Sequence, residues 1–164
     1  MNKIKNRKFV IVIPARFKSS RFPGKPLAKI KGKPMIYHVW KQCIKAVSGD
    51  NVFIATDDKK IEDVCKKYSM NCQMTSSKCK TGTDRMYDFS KKISSEIYIN
   101  VQGDEPQINP KDIKKIINLG LRNKDKIFNG MCKIKDHKDG YKSQVPKVVF
   151  DKYNNLMYMS RAPI

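Results

Sequence analysis

Five successive apolar residues, Phe9-Val10-Ile11-Val12-Ile13, run without a polar break into Pro14-Ala15-Arg16. A half-buried strand alternates apolar and polar residues, whereas an unbroken apolar run needs cover on both faces. Helices provide that cover, so this run points to an α/β fold with a mainly parallel sheet. The stretches that follow supply the helices. From Pro34 to Val47, apolar residues at Met35, Ile36, Val39, Trp40, Cys43, Ile44 and Val47 recur at three and four, with Pro34 placed in the first turn. Val52-Phe53-Ile54-Ala55 reads as a second strand, and a helix starting at Asp57-Asp58 turns Ile61, Val64, Cys65 and Tyr68 inward. Cys72-Gln73-Met74-Thr75 is a weaker third strand. Thr83 or Asp84 caps a helix running to Ile93, with Met86 and Phe89 inward.

Ile97-Tyr98-Ile99-Asn100-Val101 is the fourth strand, and Pro110 to Leu121 the fourth helix, with Ile113, Ile116, Ile117 and Leu121 on one face. Phe128 to Ile134, Val145 to Phe150 and Leu156 to Met159 read as extended. There are no repeats and no flexible linker, and 164 residues, 40% hydrophobic, suit a single domain over residues 1–164. The expected architecture is a Rossmann-like sheet flanked by helices. No apolar run approaches the roughly 20 residues of a membrane span. The basic N-terminus, Met1 to Lys8, leads into too short an apolar stretch for a signal peptide, so a cytoplasmic protein is expected.

Five cysteines (Cys43, Cys65, Cys72, Cys79, Cys132) contain no Cys-x-x-Cys pair, and only His38 and His137 accompany them. A structural zinc site is therefore not expected, and free thiols are. Lys and Arg number 35 against 15 Asp and Glu, giving a net charge of +20. Nearly all the excess is lysine scattered through every segment, as codon bias in an AT-rich genome would produce. An anionic small substrate and a polynucleotide partner are the other readings of that charge. A nucleic-acid-binding domain needs an arginine and aromatic stripe, but Trp40, Phe53 and Tyr98 fall on core-facing or strand positions.

Ligands of parallel α/β sheets bind beyond the carboxyl ends of the strands, near the point where strand order reverses. That rule selects two loops, 14–25 and 102–106, expected two or three strands apart in the sheet. The first, Pro14-Ala15-Arg16-Phe17-Lys18-Ser19-Ser20-Arg21-Phe22-Pro23-Gly24-Lys25, gathers Arg16, Arg21 and Lys25 on a turn shaped by Gly and Pro. Guanidinium forks, an ammonium and backbone N–H groups together suit a triphosphate. The loop is neither a Walker A sequence nor a dinucleotide fingerprint. The second loop places Asp104 and Glu105 directly after an apolar strand, where a carboxylate can hold Mg²⁺ and Gln102 can read the edge of a base. A third element, Lys80-Thr81-Gly82-Thr83-Asp84-Arg85, joins a strand to a helix, with a glycine that lets backbone approach a ligand.

These blocks carry a resemblance. Ile13-Pro14-Ala15-Arg16, Arg21-Phe22-Pro23-Gly24-Lys25-Pro26-Leu27, Gly32-Lys33-Pro34-Met35-Ile36, Ala55-Thr56-Asp57, Thr81-Gly82-Thr83-Asp84-Arg85 and Asn100-Val101-Gln102-Gly103-Asp104-Glu105-Pro106 resemble the CMP-sugar synthetases, nearest to the 3-deoxy-manno-octulosonate (Kdo) cytidylyltransferases. Val145 to Asp151 and Met157 to Ile164 resemble the same family in the same order. The resemblance implies a nucleotide-diphospho-sugar transferase-like fold and transfer of CMP from CTP to Kdo, releasing pyrophosphate, for lipopolysaccharide biosynthesis. It also implies a Mg²⁺ cofactor. Carried over position by position, Arg16, Arg21 and Lys25 would bind the triphosphate, with Lys25 at the leaving pyrophosphate. Pro14, Ala15, Gly82 and Gln102 would line the cytosine pocket, Asp104 would hold Mg²⁺, and Arg161 and Lys147 would face the acidic sugar. CMP activation of another acidic 2-keto sugar, of neuraminic or legionaminic type, stays open.

Two departures accompany the resemblance. The chain ends at Ile164, where family members continue with further sugar-site loops, homodimer-forming segments and a second metal-binding aspartate, so the domain is expected to be C-terminally incomplete. Asp84 stands where the family has glutamate, which keeps the charge.

Overall fold

The apolar run forms β1 (Arg7–Ala15), and it lies inside a four-stranded sheet rather than at its edge. The structure is a computed structural model, which describes residues 7–18 and 22–164. The chain divides into two compact units, Met1–Phe128 and Asn129–Ile164.

In the first unit β1 pairs in parallel with β4 (Val52–Thr56) on one side and β6 (Ser95–Asn100) on the other, and β4 pairs in parallel with β5 (Asn71–Met74). The spatial order is β5-β4-β1-β6. Period-two geometry sends alternate β1 residues to opposite faces. Ile11, Ile13 and Ala15 pack with Ile36, Val39 and Cys43 of α1 (Met35–Ala46), Ile61 and Cys65 of α2 (Lys59–Lys67), and Ile113 and Ile117 of α4 (Pro110–Arg122). Val10 and Val12 pack with Phe53, Ala55 and Phe89 of α3 (Gly82–Ser90) on the other face. Val10 to Ile13 are 0% exposed, and burying each such side chain contributes on the order of 1.5–3 kcal/mol. The expected helix-flanked parallel sheet is thus present. No helix among the described residues is long and apolar enough to cross a membrane.

The structure differs from the sequence expectation at several points. The loops after β1 and β6 leave neighbouring strands rather than strands two or three apart, because α3 carries the chain across to the far side of β1. Residues 128–134 pair with no strand, and their side chains are mostly exposed. The cap of α3 is Thr81, not Thr83 or Asp84. A short hairpin, β2 (Lys29–Ile30) with β3 (Lys33–Pro34), also precedes α1, with Lys31 and Gly32 at positive φ in its two-residue turn. Pro34 is the residue just before α1.

The second unit is built on the antiparallel pair β7 (Lys147–Phe150) and β8 (Leu156–Ser160). The Asp151 carboxylate closes their turn by accepting from the backbone N–H groups of Tyr153 and Asn155 at 2.8 Å each.

Candidate active site

β1 and β6 are adjacent, and their carboxyl ends flank the point where the strand order reverses. Such a point leaves a crevice that neither crossover helix covers. The Val101 N–H donates to the Val12 carbonyl at 3.1 Å, carrying the pairing one residue beyond β6.

On the β1 side, the loop returns to Gly24, whose N–H donates to the Phe17 carbonyl at 2.8 Å. Gly24 has φ +71°, and a Cβ there would stand 3.1 Å from the Phe17 ring, so glycine alone suits this turn. Its carbonyl then accepts from the Leu27 N–H, closing the 3-10 turn Lys25–Leu27. Lys25 is thereby held at the head of that turn. Its Nζ lies 2.6 Å from Asp104 Oδ2. Asp104 stands in the turn after β6, where the Glu105 N–H donates to the Gln102 carbonyl at 3.1 Å. Among the described residues Lys25 is the one partner of that carboxylate.

Gly103, which the sequence reading passed over, permits this approach. A Cβ on it would stand 2.8 Å from the Pro14 carbonyl oxygen, a backbone atom that cannot swing aside. Its neighbour Gln102 lies next to Gly82 and Pro14: a Cβ on Gly82 would meet Pro14 Cγ at 3.4 Å and the Gln102 amide at 3.8 Å. Pro14, Gly82 and Gln102 thus line one notch, drawn from β1, α3 and the turn after β6. Ala15 points its side chain into the core at 2% exposure, so only its backbone can meet a ligand. The Gln102 amide donates to Asn100 Oδ1 at 3.3 Å.

The start of α3 is held by a capping box. The Thr81 hydroxyl accepts from the Asp84 N–H at 3.0 Å, and the Asp84 carboxylate accepts from the Thr81 N–H at 2.8 Å. The Thr81 backbone N–H and hydroxyl, then the Lys80 backbone N–H and charge, hold the Asp84 carboxyl below the ordinary aspartate range. Arg16 joins the same segment, its Nη1 donating to the Lys80 carbonyl at 3.2 Å. Arg21 lies outside the described residues. Lys25, Asp104, Arg16, Pro14, Gly82 and Gln102 are therefore brought to the carboxyl edge of the sheet.

Lys147 and Arg161 belong to the second unit and lie together there. Lys147 is 7% exposed, and its ammonium donates to the carbonyls of Lys142 and Arg161. Arg161 donates to the Ser143 carbonyl at 3.1 Å. Among the described residues no three His, Cys, Asp or Glu side chains gather as a metal site. A single exposed carboxylate still fits Mg²⁺, which takes one or two protein carboxylates and completes its shell with water and substrate phosphates.

Comparison with known proteins gives the family of the chain. Residues 10–164 match the family model described as Cytidylyltransferase. A 3-deoxy-manno-octulosonate cytidylyltransferase of Escherichia coli is 38% identical over 158 residues, covering 96% of this chain and 64% of that protein. The namesake in Francisella tularensis is 42% identical over 158 residues, covering 94% and 63%. A solved CMP:2-keto-3-deoxy-manno-octonic acid synthetase complexed with CTP superposes with a TM-score of 0.82 at 36% identity, over 96% of this chain and 65% of that one. The chain thus spans less than two thirds of the length of these relatives. With a family match from residue 10 to residue 164, and relatives about 40% identical along nearly the whole chain, the chain belongs to the cytidylyltransferase family.

Proposed function

We propose that this chain carries the nucleotide-binding part of a Kdo cytidylyltransferase, which transfers CMP from CTP to Kdo and releases pyrophosphate, serving lipopolysaccharide biosynthesis. The observation that carries this reading is the meeting of Lys25 and Asp104, 79 residues apart, across the crevice between β1 and β6. A triphosphate needs fixed cations on one side and a divalent metal on the other, and this crevice offers a lysine facing a carboxylate.

CTP would lie with its base in the notch of Pro14, Ala15, Gly82 and Gln102. A notch closed by a glycine and a proline admits a flat ring, and the Gln102 amide offers both a donor and an acceptor to a base edge. Arg16, Arg21 and Lys25 would hold the phosphates. In the transfer, the anomeric hydroxyl oxygen of the sugar forms a bond to the α-phosphorus, the bond from that phosphorus to the bridging oxygen breaks, and the hydroxyl proton passes to solvent. Lys25 stabilises the charge that grows on the departing pyrophosphate. Most of the rate gain in such a site comes from positioning and charge neutralisation rather than covalent chemistry. Asp104 would hold Mg²⁺, which supplies a further positive charge to the phosphate oxygens when bound. Lys147 and Arg161 would face the sugar carboxylate.

Calorimetric titration with CTP and Mg²⁺ at physiological salt tests the reading, with UTP and a short DNA duplex as controls. CTP is expected to bind selectively. Absence of CTP binding by a folded sample overturns the proposal, and tight, salt-sensitive duplex binding would put a polynucleotide in its place.

A further inference from the structure

Arg85 is 2% exposed, although it sits in the first turns of a helix that begins at the protein surface. Its guanidinium reaches two strand ends at once. One amine, Nη1, donates to Thr75 Oγ1 at 2.5 Å, and the other, Nη2, lies 3.3 Å from Asp57 Oδ2. Asp57 follows β4 and Thr75 follows β5. The Thr75 N–H in turn donates to the Thr56 carbonyl at 2.8 Å, so the two strand ends are themselves tied. Further along α3, the Asp88 carboxylate accepts from the Ser76 N–H at 2.8 Å.

A buried ion pair adds little net stability, because desolvation offsets most of its attraction. What the planar guanidinium supplies is direction, since its donors are fixed relative to one another. Here that direction sets where α3 begins. Gly82 is the first residue of α3, three before Arg85, and it is the wall of the notch against Pro14 and Gln102. A Cβ built on Gly82 stands 3.4 Å from Pro14 Cγ and 3.8 Å from the Gln102 amide, so the placement of the first residue of α3 sets how near these groups stand.

We infer that Arg85 is a positioning residue for base recognition: by clamping the first turns of α3 to Asp57 and Thr75, it fixes the distance of Gly82 from Gln102 and so determines selectivity for the pyrimidine base. The inference rests on the reading of the notch as the cytosine site. It assigns Asp57 and Thr75 to the same task, although neither reaches the notch.

Two variants test it, Arg85→Lys, which keeps the charge but loses the fork, and Thr75→Val, which removes only the hydroxyl acceptor. Thermal unfolding of each reports the fold, and titrations with CTP, UTP and pyrophosphate report the site. A displacement of about 1 Å in a binding site lowers function by up to about 100-fold. Both variants are therefore expected to lose about tenfold or more in CTP affinity and to narrow the CTP to UTP ratio, with pyrophosphate binding, held by Lys25 on the opposite loop, affected far less. Parent-like CTP affinity and selectivity in both variants overturns the inference while leaving the proposed function standing. Equal losses for CTP, UTP and pyrophosphate reduce Arg85 to a general structural residue and overturn it too. A parent that does not prefer CTP removes the cytosine site itself.

Discussion

Lys25 Nζ and Asp104 Oδ2, 2.6 Å apart, form an ion pair whose side chains are 40% and 49% exposed. An exposed pair of this kind contributes at most about 1 kcal/mol to stability. The pair is therefore weak enough to exchange for phosphate and metal, and strong enough to hold both groups in place beforehand. Lys25→Met and Asp104→Ala should each change unfolding free energy by less than about 1 kcal/mol. Lys25→Met should weaken CTP binding much more than CMP binding, since only CTP carries the β- and γ-phosphates. Asp104→Ala should bind CTP with no dependence on Mg²⁺. Equal losses for CTP and CMP would remove the proposed role of Lys25, and an intact Mg²⁺ dependence would remove that of Asp104.

Gly103→Ala and Gly82→Ala separate folding from binding. The Gly103 Cβ would press on backbone at 2.8 Å, and such overpacking costs about 1–3 kcal/mol. The Gly82 Cβ would make ordinary contacts at 3.4 and 3.8 Å. Gly82→Ala should therefore melt close to the parent while losing CTP affinity, and Gly103→Ala should melt clearly lower. Parent-like CTP binding by Gly82→Ala would show that the notch does not hold the base.

Acid should loosen the start of α3. The Asp84 carboxyl is lowered by the backbone N–H and hydroxyl of Thr81, and Asp88 by the Ser76 N–H. A group lowered in the folded state stabilises fully above its ordinary value, 3.8 for aspartate, and loses that contribution as pH falls through the folded value. Asp84→Ala should melt below the parent at neutral pH, with the difference shrinking in strong acid. A difference independent of pH would show that the charged carboxylate is not what holds the turn.

The thiols should react in order of exposure. Burial pushes the Cys43 thiol up to about 12, whereas Cys132 is exposed. Only the thiolate is nucleophilic. A disulfide reagent at neutral pH should label Cys132 in the folded protein and reach Cys43 only on unfolding, and Cys132→Ala should remove one native-state labelling event while leaving Cys43 protected. Fast labelling of Cys43 in the native state would contradict its burial.

The strands and the two loops were legible because their signals are local: Val10 to Ile13 are apolar without alternation, and Arg16 and Lys25 follow within about a dozen residues. Adjacency was not. Nothing near residue 13 or residue 101 records that β1 and β6 are neighbours, since that pairing depends on which side of β1 the α3 crossover passes. Gly103 and Arg85 were missed for the same reason. The value of Gly103 depends on the Pro14 carbonyl, and Arg85 reads as one more surface cation until Asp57 and Thr75 close over it. Thr83 offers the same hydroxyl as Thr81 two residues away, so the sequence alone does not single out the cap.

Parallel pairing also sets a timetable for synthesis. The Ser95 hydroxyl bonds to the Arg7 carbonyl across 88 residues, and Lys25 waits 79 residues for Asp104. At about 5–20 residues per second, a ribosome takes roughly 4–16 s to cover the second gap. For that interval the edge of β1 that β6 will take stays unpaired. The two halves of the crevice are thus assembled late, only once the chain beyond β6 has been made.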